Sequence, residues 1–309
     1  MIGLQQIGCY LPERRLSNYD RREEFGFEES FIEEKLGVRQ IALKAEDEET
    51  SDLCVRAFEA LVGKVPVDRS CVETAVVVTQ NPDVNIPHTS AIVHGKLGLP
   101  ESCACFDISL GCSGFVHALS VVTAFMKDNG FSTGLLFTAD PYSKIIDPDD
   151  RTTSALFGDG ATCTLLSDRP LYVAQCFTFG TIGKDHQQLT CVDGKLRMNG
   201  RAIFNFAARY VPKDVDTLLE RAGLALEDID LFVFHQGSKF IVDTLTKRLG
   251  LDPIKVVFDM RDYGNTVSSA VPMALAREMK QANRRRIVIC GFGVGLAWSS
   301  ALLERASLV

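Results

Sequence analysis

No stretch of the sequence approaches the roughly 18 to 20 unbroken apolar residues that a membrane-spanning helix needs. The N-terminal segment also lacks the charged start and long apolar run of a secretory signal, so we expect it to be mature protein. Positive charge is not in excess, because the formal net charge is −7. This balance argues against nucleic acid or an anionic membrane surface as the main partner.

The ten cysteines include no Cys-x-x-Cys pair, and none has a histidine at the spacing of a zinc finger. A structural zinc site is therefore not expected. Without a secretory signal a disulfide framework is not expected either, and we predict free thiols in the reducing cytoplasm. Most of these cysteines are interpreted as small buried hydrophobic residues. No metal or cofactor is expected.

Short apolar runs rich in Val, Ile and Phe predict strands at Ala75–Val78, Leu231–Phe234, Val256–Phe258 and Arg286–Cys290. The runs are nearly continuous rather than alternating, as in parallel strands that are buried on both faces. Longer helical patterns separate them, so we predict an α/β protein with helices covering its sheets. A chain of 309 residues suffices for one large domain or two of ordinary size.

The sequence contains an internal duplication. The tripeptide Leu97-Gly98-Leu99 recurs as Leu249-Gly250-Leu251, 152 positions later, and Phe106-Asp107 recurs as Phe258-Asp259 at the same distance. In both copies the predicted order is strand, loop, helix, strand, loop and helix. Two units of this length nearly fill the chain, so we predict that the protein is built from two similar halves.

The predicted halves, residues 1–168 and 169–309, carry reactive side chains at matching positions. The offset of 152 takes Cys112 to the residue beside Asn265, and both follow a strand that ends in Phe-Asp. His235 ends another strand, at the carboxyl edge where open α/β sheets place their sites. A twofold arrangement of the halves would bring these three side chains together.

Cys112 lies between glycines and opens a strongly apolar helical run. The positive end of a helix dipole and its free N–H groups lower a thiol pKa from about 8.5 toward neutrality, which suits a nucleophile. A packed core thiol is the alternative. His235 can equally be a structural histidine, and Asn265 a turn or helix-capping residue. The combination of the three favours a catalytic site.

A glycine-rich loop, Gly291–Gly295, follows the last predicted strand. Such a loop can present backbone N–H groups to an oxyanion, a contribution on the order of 3 to 4 kcal/mol per donor. A plain tight turn is the alternative. The spacing does not fit a dinucleotide-binding loop, and no helix opens after it.

Twelve short motifs are spread along nearly the whole chain. They are Gly8–Pro12, Gly37–Arg39, Asp107-Ile108, Gly111–Phe115, Asp147-Pro148, Asp150-Arg151, Phe157–Ala161, Met198–Arg201, His235-Gln236, Gly264–Thr266, Gly291–Gly293 and Trp298. In both their order and their spacing these motifs resemble those of the β-ketoacyl-acyl-carrier-protein synthase III family of the thiolase superfamily.

The resemblance implies a five-layered αβαβα thiolase fold, a homodimer, and a catalytic set of Cys112, His235 and Asn265. It implies that Cys112 takes an acyl group from acyl-CoA, with the backbone N–H groups of Cys112 and Val294 holding the oxyanion. A malonyl thioester on acyl carrier protein or CoA then loses carbon dioxide and attacks the acyl-cysteine. The product would be a β-ketoacyl thioester for fatty-acid or secondary-metabolite biosynthesis. Acyl-CoA would be a substrate rather than a cofactor.

The sequence departs from the family where positive charge would meet a CoA or carrier phosphate. Phe240 stands where the family commonly has arginine, with Lys239 beside it, and Asn205 replaces the usual lysine. Lys239, Lys247 and Arg248 remain as candidates for a basic docking patch that binds CoA or the carrier, although a solvated helix face explains Lys247 and Arg248 equally well.

Two further expectations come from the resemblance. Phe31 takes the place of a tryptophan that stacks on the CoA adenine, and Arg151 its arginine partner. Ile86 replaces the bulky aromatic residue that one subunit lends to the acyl pocket of the other. The segment 178–197 is also short. We expect an altered acyl donor or acceptor rather than lost activity.

Other functions stay open from the sequence alone. One is acyl transfer from Cys112 to an oxygen or nitrogen nucleophile, which would give an ester or amide without decarboxylation. Another is a non-catalytic partner subunit of a heterodimer. A third is a fold that serves binding only, with Cys112 as a core thiol.

Overall fold

A computed structural model describes residues 1–306 of the chain. Its strands lie in a large central sheet and two small two-stranded sheets. They are β1 (Gly3–Tyr10), β2 (Arg14–Ser17), β3 (Gln40–Leu43), β4 (Thr74–Val78), β5 (Ala104–Ile108), β6 (Thr133–Ala139), β7 (Ala161–Ser167), β8 (Tyr172–Thr181), β9 (Leu189–Val192), β10 (Lys195–Met198), β11 (Leu231–Phe234), β12 (Arg286–Gly293) and β13 (Ala297–Arg305).

The α-helices of the described residues are α1 (Arg22–Phe25), α2 (Thr50–Val62), α3 (Thr89–Leu97), α4 (Gly114–Asn129), α5 (Gly200–Ala222), α6 (Lys239–Arg248) and α7 (Ala270–Glu278), and Phe31–Leu36 forms a π-helix. Helix α4 illustrates why these segments are helical. Its apolar side chains recur on one face and are buried, and Gly130 ends it in the left-handed conformation that glycine adopts without strain. None of the helices in residues 1–306 is long and apolar enough to cross a membrane.

The strand order of the central sheet repeats the same pattern twice. The full order is β11-β12-β13-β8-β1-β7-β6-β4-β5. In the first half β4 pairs in parallel with β6, β6 pairs antiparallel with β7, and β7 pairs antiparallel with β1. In the second half β11 pairs in parallel with β12, β12 pairs antiparallel with β13, and β13 pairs antiparallel with β8. The loop between β7 and β8 contains the expected boundary after residue 168, whose position stays a prediction.

Three hydrophobic cores separate five layers. Helices α2 and α3 cover the outer face of the first half-sheet, and α5 and α6 cover that of the second. Helices α4 and α7 lie between the two half-sheets and share one core with both. The arrangement is the five-layered αβαβα thiolase fold with two similar halves, as predicted.

The sequence located three of the four predicted strands within a few residues. The prediction Leu231–Phe234 coincides with β11, while β4 starts one residue earlier and β12 extends three residues further than expected. The prediction of a strand at 256–258 is wrong, because only a single parallel bridge joins Val256 to Phe232. The backbone N–H of Val257 still donates to the carbonyl of Phe232 at 3.1 Å, but no second bridge follows, so no ladder develops.

Candidate active site

Cys112 lies in the turn between β5 and α4, where the backbone of β12 packs against it. The side chain is buried, with 4% of its surface exposed. A Cβ on Gly291 would lie 2.6 Å from the carbonyl oxygen of Cys112, and one on Gly293 would lie 2.8 Å from its sulfur. Gly293 also has φ 153°, which side chains rarely tolerate. The glycine-rich segment is therefore needed for the close approach to Cys112.

Burial dominates the electrostatics of this thiol. It raises the pKa of Cys112 to about 12, whereas the backbone N–H groups of Val294 and Cys112 act in the opposite direction. The expectation of a thiol pKa near neutrality was therefore wrong for the free protein. Cys112 precedes the first helical residue, Gly114, and no cationic side chain offsets the loss of water around the sulfur. Both N–H groups expected to form an oxyanion hole do lie beside the sulfur.

His235 directly follows β11, and its backbone N–H donates to the carbonyl of Cys290 at 2.7 Å. The imidazole is buried, and burial alone lowers its pKa to about 3. It is therefore neutral at physiological pH. The edge of Phe292 packs against it, with ring centroids 5.5 Å apart. This environment suits a neutral hydrogen-bond donor better than a strong base.

Asn265 is oriented by the backbone around it. Its Oδ1 accepts from the N–H of Val267 at 2.9 Å, so Nδ2 is left on the side of His235, 3.4 Å from Nε2. Its own backbone N–H donates to Leu156, and its carbonyl accepts from Gly158. These bonds join the loops of the two halves. The side-chain nitrogens of Asn265 and His235 can thus both donate hydrogen bonds to one atom of a ligand.

The three side chains line one cleft of about 230 Å³, which is mostly apolar. At its mouth Phe204 and Phe240 stack with their ring centroids 5.0 Å apart. The ammonium group of Lys35 lies 4.2 Å from the centre of the Phe240 ring. Sequence reasoning missed Lys35 and Phe204, since neither belongs to a motif and they meet from distant parts of the chain. The cleft lining comprises Phe31, Lys35, Leu36, Cys112, Thr152, Leu156, Phe157, Leu189, Met198, Gly200, Ile203, Phe204, His235, Gly237, Ser238, Phe240, Ile241, Asn265, Phe292 and Gly293.

Of the residues expected to meet CoA, Phe31 lines the cleft and Arg151 lies close to it. Phe31 is partly exposed and stacks on Phe27 at 4.9 Å, and the Arg151 guanidinium lies 5.7 Å from the centre of the Phe27 ring. Phe27 thus links the two residues. The arrangement leaves the outer face of Phe31 open for a flat group, and the role of both residues stays a prediction.

The three cations expected to form a docking patch do not line the cleft. Lys239 pairs with Asp243 on the same helix. Arg248 donates to the carbonyl of Ala208 at 3.1 Å, which ties α6 to α5, and Lys247 is exposed in the last turn of α6. Their part in carrier binding stays a prediction.

Ile86 lies on the surface of this chain, with 87% of its side chain exposed, and does not reach the cleft.

Among residues 1–306 no group of three or more histidine, cysteine or acidic side chains could hold a metal ion. Cys112, His235 and Asn265 give the site a buried thiol and two neutral donors, with backbone N–H groups beside the sulfur. Such a set can hold an acyl group covalently and stabilise negative charge on a thioester oxygen.

Comparisons with known proteins agree with this chemistry. Two sequence profiles match, those of 3-oxoacyl-[acyl-carrier-protein] synthase III over residues 106–180 and of its C-terminal part over residues 219–305. The chain is 33% identical to the β-ketoacyl-[acyl-carrier-protein] synthase III of Neisseria gonorrhoeae, over 96% of this chain and 97% of the relative. It is 32% identical to that of Lactococcus lactis subsp. cremoris, over 97% and 98%. The crystal structure of the Thermus thermophilus synthase superposes with a TM-score of 0.91 at 33% identity, over 99% of this chain and all of that one.

Proposed function

Because the chain belongs to the 3-oxoacyl-[acyl-carrier-protein] synthase III family, a family of acyltransferase-type condensing enzymes, we propose that Cys112 carries the acyl group between two steps. In the first step the sulfur attacks the carbonyl carbon of an acyl-CoA. The Cys112 proton ends on the departing CoA sulfur, and the acyl group stays on Cys112. The N–H groups of Cys112 and Val294, beside the sulfur, support this assignment because the developing oxyanion forms there.

In the second step a malonyl thioester loses carbon dioxide. The electrons of the broken carbon–carbon bond form an enolate, whose oxygen is held by Nδ2 of Asn265 and by an Nε2–H of His235. The enolate carbon attacks the acyl carbon and releases the Cys112 sulfur as a thiolate, which takes a proton from the solvent. The neutral His235 supports this role, since a neutral donor stabilises the enolate without quenching it by protonation.

The malonyl group must reach the cleft on a carrier, either acyl carrier protein or CoA. The relatives are named as synthases that use acyl carrier protein, and we propose that its phosphopantetheine arm enters past Phe240. Lys35, above this ring, forms no ion pair with the residues that the structure describes, so its charge is available to a phosphate at the mouth. It would offset the arginine and lysine that the sequence lacks at Phe240 and Asn205. Malonyl-CoA remains the competing acceptor for the assay to distinguish.

We also propose that two copies of the chain form a homodimer through β5. This strand lies at an edge of the central sheet, and an unpaired edge is a template for a second strand. Val121 on α4 and Phe179 on β8 are large apolar side chains with 48% and 49% of their surfaces exposed. Antiparallel pairing of β5 with its copy would cover them by a twofold axis. Ile86 would then have a partner subunit to contact.

The homodimer is tested by light scattering after gel filtration. Val121→Glu should shift the mass toward the monomer, because it buries a charge in the proposed interface. Val62→Glu is the matched control, since Val62 is a similarly exposed valine on α2. A dimer unaffected by Val121→Glu would contradict this interface.

The compartment proposed is the reducing cytoplasm. The ten cysteines are free thiols, including pairs that are close in sequence such as Cys103 and Cys105. Free thiols persist where thioredoxin and glutathione keep them reduced. Mass spectrometry of protein alkylated directly in cell lysate should find ten modified cysteines after denaturation.

The observation that carries the proposed reaction is the convergence of Cys112, His235 and Asn265 on one cleft. Intact mass spectrometry after exposure to a panel of acyl-CoAs should show one acyl adduct, absent from Cys112→Ala. Addition of malonyl carrier protein should then release carbon dioxide and a β-ketoacyl thioester. An ester or amide formed without carbon dioxide would instead establish simple acyl transfer. Full turnover by Cys112→Ala would refute the mechanism.

A further inference from the structure

A second cavity, of about 380 Å³, lies next to the catalytic cleft. Its walls come from the two-stranded sheet of β2 and β3 and from the segments on either side of residues 149–153. Phe157 lines both this cavity and the cleft. The volume is within the usual range of small-molecule sites, and no step of the proposed reaction uses it.

The inner lining of this second cavity is apolar. It consists of Leu16, Ile41, Leu43, Ile146 and Phe157. Leu16, Leu43 and Ile146 are only half-buried, so part of their apolar surface still meets solvent. An alkyl chain placed against these side chains would remove that surface from water.

The rim of the second cavity is positively charged. Of its lining residues Arg14, Arg21, Lys44 and Lys144 are cations, and Glu46 is the one carboxylate. Lys144 is neutralised by an ion pair of 2.6 Å with a glutamate outside the lining. Neither Arg14 nor Lys44 takes part in an ion pair within residues 1–306. The excess of positive charge favours an anionic ligand.

Arg21 adds a buried charge to the wall. Its side chain is 8% exposed, and its guanidinium donates to the carbonyls of Pro148 and Ser154 and to the Ser154 hydroxyl, at 2.9 to 3.1 Å. None of these acceptors is a carboxylate. The buried carboxylate of Asp159 is near, but its oxygens accept from the backbone N–H of Lys44 and from Ser143. The guanidinium also lies 4.2 Å from the centre of the Phe25 ring, and Glu24 acts on it only through its charge, so none of its hydrogen bonds in residues 1–306 goes to a carboxylate.

We propose that this second cavity is a ligand site for an alkyl carboxylate, separate from the catalytic cleft. The alkyl chain would lie on the apolar lining, and the carboxylate among Arg14, Arg21 and Lys44. A neutral alkyl compound would leave these cations without a partner, and a small anion would leave the apolar lining open to water. A ligand here would also contact Phe157, whose two neighbours in sequence bond to the backbone of Asn265.

The test is calorimetric titration of the full chain with sodium decanoate, with and without saturating CoA. We expect binding to one site per chain in both cases, because CoA fills the cleft and leaves the second cavity free. Decanol, which keeps the tail, and acetate, which keeps the charge, should each bind about tenfold more weakly or worse. Simple competition between decanoate and CoA would place the fatty acid in the cleft and overturn the proposal, as would no binding.

Charge variants locate the carboxylate. The double variant Arg14→Gln and Lys44→Gln should weaken decanoate binding about tenfold. Arg15→Gln is the matched control, since Arg15 is exposed on the same strand but does not line the cavity. Equal binding by the double variant and the unchanged protein would refute the site. Leu16→Trp, which fills the cavity, should abolish binding, and the charge variants decide the question if it fails to fold.

Discussion

Asn265→Asp is the substitution that separates the two chemical steps most sharply. Aspartate has nearly the shape of asparagine, and its oxygen can still accept from the N–H of Val267, the 2.9 Å bond that orients the side chain. The atom next to His235 changes from a donor to a negatively charged acceptor. In the proposed mechanism the loading of Cys112 depends on backbone N–H groups instead, so we expect acylation to change by no more than about threefold.

The magnitude follows from the lost donor. Removing one preorganised oxyanion donor costs about 10²–10³-fold in rate, and the added negative charge beside the enolate increases that loss. Two assays on the same sample separate the steps. Intact mass spectrometry measures the rate of acyl transfer to Cys112, and release of labelled carbon dioxide from a malonyl thioester measures decarboxylation. We expect the second rate alone to fall by at least about 10²-fold.

A second asparagine, Asn283, provides the control for this substitution. Asn283→Asp makes the same chemical change at an exposed loop position and should leave both rates unchanged. Equal losses of acylation and decarboxylation in Asn265→Asp would show that the side chain serves folding or binding rather than the enolate. Unchanged decarboxylation would remove Asn265 from the mechanism.

Three other predictions follow from the same geometry. Gly293→Ala should abolish acylation of Cys112 while the protein stays folded by circular dichroism, because the new Cβ lies 2.8 Å from the sulfur; normal acylation would show that the loop can move away. His235→Gln should reduce the change of the free energy of unfolding with pH between about pH 3 and 6.5. The unfolded histidine binds a proton in this window and the buried one, with a pKa of about 3, does not, so the original protein gains stability as pH rises through it. The free energy of unfolding is measured by urea titration at each pH. If it changes with pH equally in His235→Gln and in the original protein, the imidazole is not neutral in the folded state. Lys35→Gln should raise KM for the malonyl thioester severalfold with kcat unchanged, and Phe240→Arg in that variant should restore it; an effect on kcat alone would exclude a role in binding.

The sequence predicted the fold because the relevant signals are local or repeated. A buried parallel strand such as Leu231–Phe234 is a continuous apolar run between turns, and it was found with its correct bounds. The duplication is also visible in sequence, since similar halves keep similar motifs at a constant offset. The segment 256–258 has the same apolar composition but makes only one bridge, to Phe232, and composition does not specify which residues pair.

The electrostatics of the site could not be predicted in the same way. The helix that follows Cys112 is visible in the sequence, whereas the backbone of Gly291 and Gly293 that excludes water from the sulfur comes from nearly 180 positions later. Local reasoning therefore gave the wrong direction for the thiol pKa. Lys35 was missed for the same reason, because it meets Phe240 only through the fold.

Burial acts in opposite directions on the two titratable groups of the site, Cys112 and His235. It raises the pKa of the Cys112 thiol to about 12 and lowers that of the His235 imidazole to about 3. A proton therefore stays on the sulfur and does not move to the imidazole, so the free protein holds no thiolate–imidazolium pair. An acyl-CoA brings the partner that accepts this proton, since its own sulfur leaves as a thiolate. Iodoacetamide should accordingly alkylate Cys112 more slowly than the exposed Cys71 in the native protein at pH 7, as followed by peptide mass spectrometry. Faster alkylation of Cys112 would show that a thiolate is present before substrate arrives.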